Sequence, residues 1–184
     1  GIYGDRGGET LTESSRPGGD FLAELAREWE REALAVQGDR TRVVLLRTGI
    51  VLDPREGALA KMLAPFRLYA GGPFGAGRQF MSWIHRDDWV SLARWAVETP
   101  GARGPLNLTA PGPVTNTHFA RALGRALGRP AVLPTPGFAL TLALGEMAAP
   151  LLLYSQRVVP ARALEGGFRF AHPDLDEALA DLLS

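Results

Sequence analysis

The stretch T-R-V-V-L-L-R-T-G-I-V-L-D, residues 41–53, decides the fold. It contains a continuous apolar run with β-branched residues at 43–46, which is typical of a strand buried on both faces of a parallel sheet. Arg47, Thr48 and Gly49 follow where that strand is expected to end. Because ligands of open α/β sheets bind at the carboxyl ends of strands, this tripeptide is either a ligand contact or a structural arginine at the sheet edge.

The composition is that of an ordinary globular protein. A length of 184 residues predicts one domain, or a domain with a small appendage. Hydrophobic residues make up 46% of the chain, which is enough apolar material for a core. The formal net charge is zero, so no overall field attracts nucleic acid or an anionic membrane, and we predict neither as a partner.

Cysteine and histidine usage argues against a metal site. The chain has no cysteine, which excludes a disulfide scaffold, a thiolate metal site and a cysteine nucleophile. His85, His118 and His172 are far apart and share no H-x-x-x-H spacing, so no metal ion is predicted.

The sequence predicts a soluble, cytoplasmic protein. The first residues are polar and Gly-rich and do not resemble a signal peptide. The longest apolar region, residues 138–154, is interrupted by Gly145, Glu146 and Pro150 and is too short to span a bilayer.

The first elements predict half of a βαβ unit. Residues 1–19 are rich in glycine and predict a loop, after which Asp20 is expected to cap a helix. The apolar positions of that helix, which we expect to face the core, are Phe21, Leu22, Leu25, Trp29 and Ala33. A helix followed by a buried strand implies an earlier strand before Gly1.

Helices and short strands alternate through the middle of the chain. The spacing predicts a helix over about 57–66, a strand over 79–85, a helix capped by Asp87 or Asp88 that runs to about 99, and a strand over 106–108. A further helix is capped by Thr115 or Asn116 and stops at Gly128. The glycine-rich loop at 69–78 either cradles a phosphate or serves as a flexible connection.

The end of the chain is predicted to be mostly helical. After an extended, proline-spaced segment at 130–136, an apolar helix starts at Phe138 and is bent or ended near Pro150. A helix at 158–164, a strand-like F-R-F at 168–170 and a last helix at 175–183, introduced by Pro173 and Asp174, complete the prediction.

Several phrases occur in a recognisable order. They are G-I-Y-G-D at 1–5, D-F-L-A-E-L-A-R-E-W-E at 20–30, L-L-R-T-G-I-V-L at 45–52, G-G-P-F-G-A-G-R-Q-F-M-S-W-I-H-R-D-D at 71–88, P-L-N-L-T-A-P at 105–111, S-Q-R-V-V-P at 155–160 and the closing G-F-R-F-A-H-P-D-L-D-E-A-L. Together they resemble the extended short-chain dehydrogenase/reductase superfamily. The similar branch is the bacterial and mitochondrial NAD-dependent epimerase/dehydratase, or nucleoside-diphosphate-sugar epimerase, branch with an uncharacterised C-terminal domain.

The resemblance implies a fold and a cofactor. The expected fold is α/β: the C-terminal part of a Rossmann-like, doubly wound parallel sheet, with a smaller, mostly helical lobe on the substrate side. Residues 1–130 would be the remainder of the Rossmann-like domain, with inserted substrate-lobe segments, and residues 131–184 a C-terminal helical domain. Members bind NADP or NAD, of which NADP is our preferred prediction. Their Gly-rich turn, which holds the cofactor pyrophosphate, is expected to precede Gly1.

The catalytic dyad of the superfamily is replaced in this chain. Active members use Tyr-x-x-x-Lys, in which the lysine lowers the pKa of the tyrosine during proton exchange. The matching positions are Phe21 and Leu25, and a shift by one residue, to Leu22 and Ala26, restores neither group. Whether the protein is an enzyme therefore stays open at this point.

Part of a cofactor pocket carries over from the resemblance. The matching R-[ST]-G-[IV]-V stretch lies beside the nicotinamide in family members and corresponds to Arg47, Thr48, Gly49, Ile50 and Val51. Tyr3 is either a catalytic residue at the mouth of the site or a loop tyrosine packed on the sheet rim.

Four other residues are predicted on the substrate side. His85 either fixes the start of a helix under the substrate lobe or acts as a general base. Arg78, Gln79 and Arg157 would bind an anionic substrate or lie on the solvated surface. Lys61, the single lysine, is expected to face solvent.

Three hypotheses about function remain. The first is an NADP(H)-binding epimerase/dehydratase-like or oxidoreductase-like protein of unknown substrate, which acts only with the Gly-rich half. The second is a non-catalytic dinucleotide-binding sensor or scaffold. The third is an inert remnant that exposes apolar faces, which a single cooperative melting transition of the chain would contradict. The oligomeric state is open, with a homodimer among the alternatives.

Overall fold

The computed structural model describes residues 1–145 and 149–184, in which helices and short strands alternate. The helices are α1 (Phe21–Leu34), α2 (Gly57–Arg67), α3 (Arg86–Glu98), α4 (Asn116–Leu127), α5 (Gly137–Leu144), α6 (Ala161–Glu165) and α7 (Leu175–Leu183), with a π-helical turn at Ala149–Leu153. The strands are β1 (Thr10–Leu11), β2 (Val44–Thr48), β3 (Ile50–Leu52), β4 (Phe80–Met81), β5 (Trp83–His85), β6 (Gly104–Leu108), β7 (Val114–Thr115) and β8 (Arg157–Val158).

Parallel strand pairs confirm the predicted α/β class. β2 pairs with β6, β3 with β5 and β1 with β8, all in parallel, whereas β4 and β7 pair antiparallel. Parallel neighbours need a crossover connection, and α2 and α3 are among the helices that supply it.

Gly49 lets the chain pass from one strand partner to the next. Its amide donates to the Leu108 carbonyl, and the Ile50 amide donates to the Ser82 carbonyl. A Cβ at Gly49 would lie 2.6 Å from the Ser82 carbonyl oxygen and 2.8 Å from Thr109 Cγ2. Only glycine permits this close approach, so the residue that ends β2 also aims β3 at β5.

The largest hydrophobic cluster lies between α2, α4 and α7. It contains Leu59, Phe66, Phe119, Leu123 and Leu179, all buried. α4 and α7, which pack against each other, lie on opposite sides of the predicted domain boundary after residue 130. The division into two domains stays a prediction.

The predicted helix caps are confirmed at three helices and wrong at one. Asp20, Thr115 and Asp174 accept backbone N–H bonds at the N-termini of α1, α4 and α7, and Gly128 ends α4 in a left-handed conformation. The cap of α3 is His85 rather than Asp87 or Asp88, because His85 Nδ1 accepts the Asp87 N–H at 3.1 Å. An imidazole nitrogen thus takes the role of the expected carboxylate.

Two predictions about burial are wrong. The strand at 43–46 was expected to be buried on both faces, but Leu46 is 42% exposed. Leu45, on the opposite face of β2, is buried, so the two faces of the strand differ in burial at this point. On α1, Phe21 and Trp29 face solvent and the buried residue is Ala23.

Three short segments also differ from the prediction. The loop at 1–19 contains β1, and its partner β8 occupies the start of the helix predicted at 158–164, so that α6 begins at Ala161. The F-R-F segment forms no strand, and Phe168 packs edge to face on both Trp95 and Phe170. Part of the helix predicted from Phe138, residues 146–148, lies outside the described residues.

None of the helices in the described ranges is both long enough and apolar enough to cross a membrane.

Candidate functional site

A cavity of about 810 Å³ opens beside the carboxyl end of β2. Its walls come from the β2–β3 junction, from α2, from the loop at 70–74, from β4 and from the segment 150–158. The volume falls within the range of about 300–1,000 Å³ that small-molecule sites occupy. The cavity therefore lies where the polar tripeptide predicted a ligand.

Four of the five predicted cofactor residues line this cavity. Arg47, Gly49, Ile50 and Val51 are among its lining residues. Thr48 is not, and its hydroxyl oxygen accepts a hydrogen bond from Trp89 Nε1 at 3.2 Å. The alternation of β2 explains the difference, because successive side chains of a strand point to opposite faces.

Arg47 is held in place by a carboxylate. Its Nε and Nη2 atoms each donate to a Glu30 oxygen at 2.7 Å, and Nη1 donates to the Tyr3 hydroxyl at 2.9 Å. Burial alone would lower the pKa of Arg47, but the bonds to Glu30 and Tyr3 raise it above its usual value. This geometry favours the structural alternative for Arg47 over a direct bond to a ligand anion.

The Tyr3 hydroxyl is similarly committed. It donates to Asn107 Oδ1 at 2.7 Å and accepts from Arg47, and the residue is 3% exposed although it lines the cavity. Burial raises the pKa of Tyr3, an effect that the Arg47 guanidinium opposes in part. A phenolate is therefore disfavoured, and the geometry favours the packing alternative. The catalytic role stays a prediction.

The polar network continues behind Tyr3. The Asn107 backbone N–H donates to Glu13 Oε1 at 3.0 Å, and Asn107 Nδ2 donates to the Val159 carbonyl oxygen at 3.0 Å. Glu13 and Asn107 are both buried. Glu13, Glu30 and Asn107 were not predicted from the sequence. The one available signal was a polar residue, Asn107, within an otherwise apolar strand.

The four predicted substrate-side residues lie outside the cavity lining. Gln79 is buried, and its Nε2 donates to the carbonyl oxygens of Phe74 and Leu152. Arg157 stacks on the Phe80 ring at 5.1 Å, and Arg78 is exposed. Gln79 thus joins two walls of the cavity rather than facing its interior.

His85, the fourth of these residues, belongs to a separate cluster. It is fully buried, stacks on His172 with ring centroids 3.8 Å apart, and lies 3.2 Å from an Asp181 carboxylate oxygen through Nε2. Since Nδ1 accepts the Asp87 N–H, the ring proton lies on Nε2 and faces Asp181. The pKa of His85 is lowered, mainly by burial and then by His172. The arrangement favours the helix-capping role.

His85, His172 and Asp181 also have the spacing of a three-ligand metal site. His85 Nδ1 accepts the Asp87 N–H, so the ring proton is on Nε2, the nitrogen nearest Asp181. A metal ion bound at Nε2 would have to displace that proton. The cluster is thereby better suited to holding the start of α3 than to holding an ion.

The glycine-rich loop packs against its neighbours. A Cβ at Gly72 would lie 2.1 Å from the Leu133 carbonyl oxygen, and one at Gly71 would meet the Phe66 ring. Both glycines are buried and line the cavity. The loop therefore forms a wall, which neither of the two predicted alternatives described.

The positions of the missing dyad are on α1. Phe21 is 75% exposed at the first turn and Leu25 is half-buried. Neither residue lines the cavity.

Comparisons with known proteins identify relatives along almost the whole chain. Residues 135–182 match a domain of unknown function, DUF1731. An epimerase family protein of Mycobacterium leprae is 44% identical over 98% of this chain, and YfhF, an epimerase family protein of Bacillus subtilis, is 42% identical over 100%. The chain is thus a homologue of epimerase family proteins with a DUF1731-type C-terminal segment.

A solved structure confirms the Rossmann-like class. The crystal structure of the human epimerase family protein SDR39U1 with NADPH superimposes with a TM-score of 0.94 at 38% identity, covering 99% of this chain and 62% of that one. The chain spans about 60% of the length of the curated relatives it matches. The prediction that a Gly-rich half precedes Gly1 stays a prediction.

Proposed function

We propose that this homologue of the epimerase family proteins forms the nicotinamide side of an NADP(H)-binding, epimerase-like or oxidoreductase-like protein. The observation that carries the proposal is the cavity at the carboxyl end of β2, where Gly49, Ile50 and Val51 line the wall. Ligands of doubly wound sheets bind at this end of the strands. The NADPH complex of the human relative supports NADP as the cofactor.

The residues present fit one end of this cofactor. Ile50, which packs against the cluster that includes Met62 and Phe66 of α2, offers an apolar side chain to a flat nicotinamide ring. Gly49 has no side chain at the rim. A pyrophosphate needs free backbone N–H groups at a helix N-terminus. The N-terminus of α1 does not offer them all, since the Asp20 carboxylate already accepts the Ala23 N–H at 2.9 Å. In the proposal, a Gly-rich βαβ segment supplies the phosphate site.

When bound, NADP(H) would supply hydride transfer. The part of this chain is to position the nicotinamide ring and to keep water away from it. Arg47 and Tyr3 contribute indirectly, because their hydrogen bonds fix the loop at 1–5 against the end of β2.

A non-catalytic sensor or scaffold is the second candidate. The specific observation in its favour is the dyad position: Phe21 and Leu25 carry no ionisable group, and neither lines the cavity. The Tyr3 hydroxyl, the other candidate acid, has a raised pKa and two partners. Binding without turnover is the behaviour expected of this candidate.

The setting of the protein is part of the proposal. We place it in the cytoplasm of a bacterium, acting on a small molecule. Relatives occur in bacteria, in mammals and, as a protein described as chloroplastic, in Arabidopsis thaliana. The choice between monomer and homodimer stays open to measurement.

NADPH titration of the full-length gene product tests the proposal. We expect saturable binding, followed by NADPH fluorescence. Ile50→Trp, which enlarges a side chain of the cavity wall, should weaken binding by at least about tenfold, equivalent to about 1.4 kcal/mol. Val44→Trp is the control, since Val44 is a half-buried β-branched residue of β2 outside this cavity. No saturation with NADPH or NADH would refute cofactor binding.

Turnover assays separate the two candidates. The same protein would be incubated with NADPH and a panel of carbonyl compounds, then with NAD(P)+ and sugar nucleotides. Oxidation or reduction of the cofactor, or epimerised product, supports the enzyme. Binding with no turnover on either panel supports the sensor.

A further inference from the structure

The interior of the cavity at the end of β2 is apolar. Side chains from α2, from the loop at 70–74, from β4 and from the π-helical turn face one another across it. The largest are Met62, Phe66, Phe74, Phe80, Met81 and Leu152. Such walls gain free energy from covering an apolar ligand and offer few partners to the hydroxyl groups of a sugar.

Several polar side chains in these walls already have partners within the protein. Ser82 Oγ donates to the Gln156 carbonyl oxygen at 2.7 Å and accepts from the Val158 N–H at 2.9 Å. Arg47 is paired with Glu30 through two bonds. A ligand that needed these groups would have to break bonds that hold the wall together.

Lys61 is the cation in the lining that stays available. It projects from α2 next to Met62, and it takes part in none of the ion pairs formed by the described residues. Tyr154 and Gln156 are further polar residues of the lining. The arginines predicted to bind an anion, Arg78 and Arg157, are outside it. Among the described lining residues, Lys61 is thus the cationic side chain that no carboxylate neutralises.

We propose that the cavity takes an apolar monocarboxylate, whose carboxylate pairs with Lys61 while its hydrocarbon part lies among the methionine and phenylalanine side chains. The proposal rests on the proposed function, since it names the substrate class of that site. A nucleoside-diphosphate sugar fits the same walls poorly. Its two phosphate charges would meet a single lysine ammonium group, and most of its sugar hydroxyls would face apolar side chains.

Displacement of a fluorescent fatty acid tests the proposed class. The full-length gene product is titrated with 11-(dansylamino)undecanoate, and decanoate, decanol and UDP-glucose are then added as competitors. We expect decanoate to displace the probe at the lowest concentration, decanol to do so more weakly, and UDP-glucose to have no effect. Displacement by UDP-glucose at lower concentrations than decanoate would overturn the proposal.

Lys61→Met tests the charge separately from the apolar stem. We expect this substitution to weaken the binding of decanoate by about three- to tenfold, because a partly exposed ion pair is lost. The affinity for decanol should stay unchanged. Arg67→Met is the matched control, since Arg67 is an exposed cation of the same helix outside the lining. Equal affinity of wild type and Lys61→Met for decanoate would refute the role of Lys61.

Ala70→Trp tests whether the probe enters this cavity. Ala70 is an exposed lining residue, so a large side chain should obstruct the cavity at little cost in stability. We expect at least about a tenfold loss of probe affinity. Ala64→Trp, on an exposed face of α2 outside the lining, should bind the probe normally. Unchanged binding by Ala70→Trp would place the probe elsewhere and overturn the proposal.

NADPH titration of the same samples separates this proposal from the proposed function. Probe binding that depends on Lys61, without any NADPH binding, would refute the proposed function and leave the apolar carboxylate site. NADPH binding together with a preference for UDP-glucose would refute the substrate class and leave the proposed function.

Discussion

The two sides of the molecule are stabilised by different means. Where α2, α4 and α7 meet, large apolar side chains such as Phe119, Leu123 and Leu179 are buried against one another. On the side of α1 and β2, Phe21 and Trp29 face solvent. There α1 adds only the small side chain of Ala26 to a four-residue apolar cluster, and a polar contact, Glu30 of α1 with Arg47 of β2, joins the helix to the strand.

The difference matters for function because the cavity lies between these two sides. One wall, on α2, is backed by the hydrophobic core, whereas the opposite rim, at Tyr3 and Arg47, depends on hydrogen bonds. Truncating a large buried aromatic side chain costs about 3–5 kcal/mol, whereas leaving a half-buried polar group without its partner costs about 1–3 kcal/mol. Substitutions at the polar rim should therefore lower the free energy of unfolding by less than substitutions in the core do.

The largest effect is expected from the core. Phe119→Ala should lower the free energy of unfolding by about 3–5 kcal/mol, because it removes a buried aromatic side chain and leaves a cavity. Phe21→Ala is the matched control and should change it by less than about 0.5 kcal/mol, since Phe21 is exposed. Urea denaturation of the 184-residue chain measures both. Equal effects would show that the two sides do not differ as described.

An intermediate effect is expected at the polar rim. Arg47→Met should lower stability by about 1–3 kcal/mol, because the half-buried Glu30 carboxylate and the Tyr3 hydroxyl each lose a partner. Arg31→Met removes a largely exposed ion pair with Glu28 and should cost less than about 0.5 kcal/mol. In the double variant Arg47→Met/Glu30→Gln, we expect a smaller loss of stability than the sum of the two single losses. Strict additivity of the two losses would contradict the pairing.

The smallest effect is a pH dependence at His85. Its pKa is lowered in the folded protein, so the unfolded chain binds the proton more readily. Stability should therefore be full above the ordinary histidine pKa of about 6.5 and should fall as the pH drops below it. His172, Asp87 and Asp181 face the ring and modulate this transition.

His85→Asn tests this prediction, since asparagine retains the capping function. We expect the stability of this variant to vary less between pH 7 and pH 5 than that of the wild type. The difference between the two proteins should be smaller than the loss of stability expected for Arg47→Met. His118→Asn, at an exposed histidine of α4, should leave the wild-type profile intact. A profile of His85→Asn identical to the wild type would assign the pH dependence to other groups.

Local features of the fold were predictable where the signal lies within a few residues. Asp20, Thr115 and Asp174 precede apolar periodic stretches, and each caps its helix as expected. The predicted cap of α3 was wrong. Asp87 and Asp88 are residue types that commonly cap helices, but the side chain that accepts the free N–H at this helix start is His85. Asp88 instead accepts the N–H groups of Ala171 and His172, which are distant in sequence.

The candidate site was predictable in part. The polar residues after an apolar run indicated a ligand position, and four of the five named residues line the cavity. The substrate-side residues were chosen by type, and charge or amide chemistry alone cannot indicate which way a side chain points. Gln79 shows this, because its amide joins two cavity walls.

The order of residues was sufficient for the α/β class, for most helix ends and for the position of the cavity at the end of β2, because helix periodicity, capping and strand endings are local properties. It was not sufficient for the Glu30–Arg47 pair, the exposure of Leu46 or the place of Lys61 on the cavity wall. These depend on which elements meet in space. Packing between distant parts of the chain sets burial and partners, and no local pattern encodes it.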